Sequence, residues 1–108
     1  MTTKMKLHNA KAVLEKMYGP LTFADMIASL REAEEWSQAD MAKLLGVTKS
    51  HIAHMEAGKP ISPKTAARYA QILGHSEASF IRLVLQDELR NAGIALDVTV
   101  SPSRKKAA

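Results

Sequence analysis

The polar side chains of residues 48–54 have the types and spacing most suited to chemistry. Five of them form hydrogen bonds and none is acidic: Thr48, Lys49, Ser50, His51 and His54. If this stretch is helical, Ile52 and Met55 face a core and leave the polar residues on the outward side. Lysine can donate to guanine O6 and N7, serine can pair with several bases, and histidine can reach a base edge. The pattern therefore favours binding to an anionic ligand rich in hydrogen-bond acceptors, such as a nucleic acid.

The elements expected to hold this face are two helices joined by a tight turn, over residues 37–58. Ser37 predicts a capped start for the first helix. Ala42 is small enough to let the two helix axes approach closely, and Gly46 suits a turn that needs a positive φ. Thr48 then predicts the N-cap of the second helix.

Capping residues and apolar spacing predict four further helices. They cover residues 9–18, Thr22 to about Glu35, Ser62 to Gly74, and Ser76 to Ala92. The last of them is apolar over too wide an arc for one core, so part of it is expected to face a partner.

Residues 94–100 alternate strictly between apolar and small or polar side chains. Ile94, Leu96, Val98 and Val100 fall on one side, which predicts a β-strand. A lone strand cannot satisfy its backbone groups, so it must pair with its copy in a dimer, with another protein, or with an extended N-terminal arm. We therefore expect a C-terminal dimerisation strand.

Charge along the chain is arranged in blocks. The net charge is +4, and residues 43–68 carry five lysines and arginines against one glutamate, whereas residues 19–42 and 69–100 are acidic overall. Phosphate neutralisation needs clustered cations, so the central block favours a surface that faces nucleic acid. An ordinary solvated face explains the same charges.

Composition excludes several classes of protein. The 108 residues are 46% hydrophobic and include no cysteine, which suits one small domain without a disulfide framework, a thiolate zinc site or a cysteine nucleophile. No Ser-His-Asp spacing, Walker loop or GxGxxG is present, so neither an enzyme nor a cofactor is expected. We find no apolar run long enough for a bilayer and no signal peptide, and expect a soluble cytoplasmic protein.

These residues, taken together, resemble the Cro/phage-repressor type of helix-turn-helix family, also called the xenobiotic-response-element family. The resemblance covers Phe23 to about Leu73. It includes Ser-Gln at 37–38, Ala-Lys-x-Leu-Gly-Val at 42–47, Ile-x-x-x-Glu-x-Gly-Lys at 52–59 and Leu-Gly at 73–74. It implies an all-α fold, a five-helix Cro/repressor-like bundle, here with an N-terminal helical extension and the C-terminal strand. In this family the helix that corresponds to Thr48 to Ala57 lies in the DNA major groove.

The resemblance also implies which residues contact bases. Lys49, Ser50 and His54 match the family's main base-reading positions. One departure is that His54 and Ala57 stand where the family often has arginine or another long polar residue, so the base preference stays open.

Contacts to the DNA backbone are expected from other residues. Gln38 lies at the start of its helix, beside free N–H groups that suit a phosphate. Lys59 and Lys64 lie beside the N-terminus of a later helix and are expected to meet another phosphate. Thr48 and His51 suit either a base or a phosphate.

Two other chemistries fit the residue types of these segments. His51 and His54, three residues apart, could form half of a metal site, but no cysteine is present to complete a tight zinc site. Glu32, Glu34 and Glu35 could act as catalytic carboxylates, although an acidic loop entry is more often a solvated surface. We therefore expect neither a metal nor a catalytic site.

Three functions fit the sequence. The first is a dimeric, sequence-specific transcriptional repressor that binds double-stranded DNA at a palindromic operator and is therefore associated with the nucleoid. The second is the antitoxin of a toxin-antitoxin pair, which binds a toxin protein and represses its own operon. The third is an adaptor that kept the fold and lost DNA binding.

Four parts of the chain are expected to divide these tasks. Residues 1–20 form an N-terminal arm and short helix, and residues 21–75 form the DNA-binding domain. Residues 76–100 supply a helix and a strand for contact with a second copy or another partner. Residues 101–108 form a disordered basic tail.

Overall fold

A computed structural model describes residues 21–103 of the chain. Within them lie five α-helices, which we label α1 to α5: Phe23–Ala33, Gln38–Leu45, Lys49–Glu56, Pro63–Leu73 and Glu77–Asn91. The number and order of these helices agree with the predicted bundle. The N-terminal helical extension predicted at residues 9–18 and most of the predicted basic tail lie outside the described residues.

Each described helix begins after a serine or threonine whose side chain accepts a backbone N–H bond. The five N-caps are Thr22, Ser37, Thr48, Ser62 and Ser76. At α1 and α2 the bond is reciprocal, because the aspartate three residues later accepts from the N-cap N–H. Each such cap satisfies donors that a helix end otherwise leaves unpaired. The sequence prediction of these starts is therefore confirmed.

The end of α1 comes slightly earlier than the sequence indicates. Glu35 has φ 60°, and the Trp36 N–H donates to the Arg31 carbonyl at 3.1 Å. A residue in the left-handed conformation, followed by an N–H that donates to the carbonyl five residues earlier, is a Schellman motif. Here the left-handed residue is a glutamate rather than the usual glycine. It turns the chain sharply before α2 begins.

One core joins all five described helices. Its buried side chains are Phe23, Ile27, Met41, Ala42, Leu45, Ile52, Met55, Ala66, Tyr69, Ala70, Phe80, Leu83 and Val84. The T-shaped pair of Phe23 and Phe80, with ring centroids 5.7 Å apart, joins α1 to α5. Asp87 adds a polar link between the same helices, since its carboxylate accepts from the Phe23 N–H at 3.0 Å. Helix α5 is thus part of the bundle that supports the helix-turn-helix.

The prediction of a C-terminal strand is not supported by the structure. Over the described residues up to 103 there is no strand, and residues 94–100 are irregular. The Gln86 side chain of α5 donates to the Leu96 carbonyl and accepts from the Val98 N–H, both at 2.8 Å. The alternating pattern reports which side chains share a face, but it says nothing about what pairs with the backbone. Here the Gln86 side-chain amide makes two of the backbone hydrogen bonds that a neighbouring strand would otherwise make.

Candidate nucleic-acid interface

The turn between α2 and α3 depends on a glycine in the left-handed conformation. Gly46 has φ 71° and ends α2. The Val47 N–H then donates to the Ala42 carbonyl at 3.0 Å. From α4, the Arg68 guanidinium donates to the Leu45 carbonyl at 3.3 Å, and its Nη2 atom lies 3.9 Å from where a Cβ on Gly46 would be. A side chain at this position would therefore be strained by the backbone conformation.

Helix α3 is locked to the bundle along one side and open along the other. Ile52 and Met55 are fully buried. Lys49, Ser50 and His54, the three predicted base-contacting residues, are all exposed. They extend over the first turn and a half of the helix, and α3 has no acidic residue in its first turn. This face can donate and accept hydrogen bonds without repelling a polyanion.

Two other predicted residues of α3 already have partners inside the protein. The Thr48 hydroxyl accepts from the His51 N–H at 3.0 Å and caps the helix. His51 is half-buried, and its Nε2 atom lies 3.1 Å from the Tyr69 hydroxyl of α4. Their side chains therefore lie at the start and the flank of α3 rather than at the centre of its open face.

Gln38 belongs to a polar cluster that the sequence prediction missed. Its amide donates to Glu56 Oε1 at 3.1 Å, while the Arg31 Nε donates to Glu56 Oε2 at 2.7 Å. The Arg31 and Glu56 side chains are only 15% and 9% exposed. Arg31 also donates to the Trp36 carbonyl at 2.9 Å. The cluster joins α1, α2 and α3, and so fixes the orientation of the exposed helix.

Electrostatics within this cluster favour the charged carboxylate. Burial by itself would raise the pKa of Glu56, but the hydrogen bonds from Arg31 and Gln38 outweigh burial and hold that pKa below its usual value. The hydrogen bond to Glu56 raises the pKa of Arg31 in turn. Both groups therefore stay ionised at neutral pH.

Local charge differs between the helix N-termini. Asp40 lies in the first turn of α2, where its bonds with Ser37 lower the pKa of the carboxyl, so that end carries a negative charge. The first turns of α3 and α4 contain no acidic residue. Lys64 is exposed in the first turn of α4, and Lys59 is exposed just before it. The N-terminus of α4 is thus better suited to a phosphate than that of α2.

The described residues contain no group of three or more His, Asp or Glu side chains that could hold a metal ion. His51 and His54 therefore have no third metal ligand among the described residues, and one ring nitrogen of His51 is already held by Tyr69. No described helix is long and apolar enough to cross a membrane.

Comparison with known proteins agrees with this geometry. A helix-turn-helix family model matches residues 27–80, which is half of the chain and includes α2, the turn and α3 complete. Neither the curated proteins nor the solved structures gave a match. Together with the buried side of α3, its exposed polar face and the glycine turn before it, the match shows that this chain belongs to the Cro/repressor-type helix-turn-helix family of DNA-binding transcription regulators.

Proposed function

We propose that this chain is a sequence-specific repressor that binds double-stranded DNA with α3 in the major groove. The observation that carries the proposal is the contrast between the two sides of α3. Ile52 and Met55 are buried, while Lys49, Ser50 and His54 are exposed. A helix held this firmly presents its polar side chains in a fixed arrangement, which recognition of base edges requires.

The roles of the base-reading residues follow from their chemistry. Lys49 is positioned to donate to guanine O6 and N7, and Ser50 to pair with a neighbouring base. His54 lies about one turn further along α3 and reaches the next base edge. These three contacts would give specificity, and each would add roughly 1 to 3 kcal/mol of discrimination.

Backbone contacts would come from both sides of α3. Lys59 and Lys64 are exposed around the N-terminus of α4, where positive side chains lie at the positive end of the helix dipole. One N–H of the Gln38 side-chain amide donates to Glu56, which leaves its second amide N–H and its backbone N–H at the start of α2 as donors to a phosphate. Thr48 contributes mainly as the cap that orients the start of α3.

Loss of Lys49 or His54 tests this assignment. We expect Lys49→Ala and His54→Ala each to weaken binding to the preferred DNA by about 5- to 150-fold and to relax the preference at one base pair, because each removes a base contact. The measurement is fluorescence anisotropy with DNA from upstream of the chain's own gene and with a scrambled duplex, at about 50 and 200 mM salt.

The matched control is Lys43→Ala, which removes the same charge from an exposed position on α2. Lys43→Ala should weaken binding to the preferred and the scrambled duplex equally, by about twofold or less, because Lys43 is expected to act only through long-range attraction. If Lys49→Ala and His54→Ala bind the preferred duplex as tightly as the unchanged chain, the base-contact assignment is wrong. Equal binding of both duplexes by the unchanged chain, or no binding, would overturn the sequence-specific function and favour a protein partner for residues 76–100.

We further propose that the repressor is a dimer whose two α3 helices bind the half-sites of a palindromic operator, about one helical turn apart. In this division of the chain, residues 21–75 bind DNA and the exposed side chains of residues 76–100 contact the second copy, while the buried side of α5 stays in the bundle. Support comes from Ile94 and Leu96, which are 44% and 64% exposed. Two large apolar side chains exposed within one short segment favour an interface there, because contiguous apolar surface marks contact sites.

A charge placed on this exposed segment tests dimer formation. We expect Leu96→Lys to raise the dimer dissociation constant by about tenfold or more, because it places a cation where an apolar contact is proposed. Sedimentation equilibrium of the full chain measures that constant. Thr99→Lys, which adds the same charge at another exposed position, is the control and should leave the constant nearly unchanged.

An antitoxin is the second candidate, and the same exposed side chains favour it. If the unchanged chain is monomeric by sedimentation, the dimer proposal is wrong, and the apolar segment is then better explained by a different protein partner. A small toxin gene beside this one would support that alternative. The helix-turn-helix would serve autorepression in either case.

A further inference from the structure

The flank of α3 that faces α4 carries a hydrogen bond between two side chains far apart in sequence. His51 Nε2 lies 3.1 Å from the Tyr69 hydroxyl. The rings meet edge to face, with centroids 6.4 Å apart and planes at 74°. The Arg68 guanidinium lies over the Tyr69 ring, 5.8 Å from the ring centroid. The imidazole is therefore anchored from inside the bundle by one of its two nitrogens.

Which of the two groups donates in this hydrogen bond follows from the partners that the Tyr69 hydroxyl has. Tyr69 is only 2% exposed, and among the described residues its hydroxyl has no hydrogen-bond partner other than His51. If Nε2 donated to the hydroxyl, the hydroxyl proton would be left without an acceptor in a buried place, which is costly. The bond that satisfies both groups runs from Tyr69 O–H to Nε2. Burial also raises the pKa of Tyr69, which keeps the hydroxyl a donor.

An imidazole that accepts at Nε2 must carry its proton at Nδ1 when neutral. Nδ1 is the ring nitrogen that Tyr69 does not hold, and it has no hydrogen-bond partner among the described residues. Because His51 is half-buried rather than enclosed, this N–H is left as a donor for a ligand at the flank of α3. The exposed Lys64 lies in the first turn of α4, the helix that also carries Tyr69. When α3 occupies a major groove, its flank faces the sugar-phosphate wall rather than the base edges.

We propose that Tyr69 is a positioning residue for DNA binding: it fixes His51 as a neutral Nδ1–H donor to a phosphate oxygen at the wall of the groove. This inference rests on the proposed DNA-binding function. It gives His51 one of the two roles that its sequence position allows, and it gives the buried Tyr69 hydroxyl a function in recognition. Because the Nδ1–H donor is uncharged and already oriented, the contact helps to position α3 along the DNA without adding a charge.

The first test examines the free protein and does not depend on DNA. Long-range ¹H–¹⁵N correlation spectra distinguish a histidine protonated at Nδ1 from one protonated at Nε2. In the unchanged chain, His51 should be protonated at Nδ1 at a pH where the ring is neutral. In Tyr69→Phe, which removes only the hydroxyl, the Nε2-protonated form should become the larger population. An Nε2-protonated His51 in the unchanged chain would overturn the proposal.

The second test measures binding to the preferred duplex across a range of salt concentrations. Tyr69→Phe and His51→Ala should each weaken binding about 3- to 10-fold, the effect of one neutral hydrogen bond. The double variant should bind no more weakly than His51→Ala alone, since Tyr69 acts through His51. The slope of affinity against salt should stay unchanged, whereas Lys59→Ala should reduce it by about 1.

Controls separate this contact from folding and from the function on which it rests. Gln71→Ala, at an exposed position of α4, should bind as the unchanged chain does, and thermal melts should show Tyr69→Phe folded at the assay temperature. If the unchanged chain binds DNA and Tyr69→Phe binds it equally well, the positioning role is wrong while the proposed function stands. A reduced salt slope in His51→Ala would mean that His51 binds as a cation, which also overturns the proposal. No binding by the unchanged chain would overturn the proposed function together with this contact.

Discussion

Replacing Phe80 with alanine is expected to lower the free energy of unfolding by about 3 to 5 kcal/mol, the largest single effect predicted for this chain. Phe80 is 2% exposed and packs edge to face against Phe23. The Phe80 ring also stacks on His75, with ring centroids 6.2 Å apart. Truncation would leave a cavity where α5 packs against α1 and against the turn between α4 and α5.

Urea unfolding, followed by far-UV circular dichroism, measures this effect. The control is Ile72→Ala on α4, a residue 43% exposed, which should cost about 1 kcal/mol or less because little packing is lost. Both variants should be compared at two protein concentrations, since a dimer links stability to concentration. A loss below about 1.5 kcal/mol for Phe80→Ala would show that α5 is not an integral part of the bundle.

Replacing Glu56 with alanine is expected to lower the free energy of unfolding by about 2 to 3 kcal/mol. The substitution leaves the Arg31 guanidinium, 15% exposed, without its charged partner, and it removes the acceptor of the Gln38 amide. Breaking one side of a mostly buried ion pair costs more than the pair contributes. Glu56→Gln should cost less, because it keeps an oxygen that can accept. The control Glu32→Ala removes an exposed carboxylate from α1 and should change stability by about 0.5 kcal/mol or less.

The pH dependence of stability provides a second measurement of the same cluster. The pKa of Glu56 is lower in the folded chain than its ordinary value of 4.5. The folded state therefore binds this proton less readily than the unfolded state, so the stabilisation is complete well above pH 4.5 and is lost as pH falls through the folded pKa. Asp40 has a lowered pKa as well, so the informative quantity is the difference between the unchanged chain and Glu56→Gln. Equal loss of stability in the two below pH 4.5 would contradict the assignment to Glu56.

Local features of this fold could be predicted from the sequence because they depend on residues within one helical turn. Thr22 and Ser37 bind backbone N–H groups three residues later, and Gly46 supplies a positive φ immediately after α2. The apolar spacing of Ile52 and Met55 likewise identified the buried side of α3. From these signals the helix order and the exposed residues of α3 follow.

The features that the sequence did not predict connect residues far apart along the chain. Arg31 and Glu56 are 25 residues apart, and His51 and Tyr69 are 18 apart. Neither pair can be found from periodicity, because the distance between their side chains depends on how three helices pack. Glu56 lies within the motif that carries the family resemblance. An acidic residue in an otherwise basic segment was the one sequence signal that Glu56 has a cationic partner inside the protein, here Arg31.

The amide of Gln86 holds residues 96–98 by their backbone atoms, at the Leu96 carbonyl and the Val98 N–H. Nothing in this attachment depends on which side chains the segment carries, apart from the need for an N–H at position 98, which Val98→Pro would abolish. The exposed side chains of the segment can therefore change through evolution while its course along α5 stays the same. For the partner surface proposed at Ile94 and Leu96, this means that its side chains can diverge between related chains while the attachment to α5 stays the same.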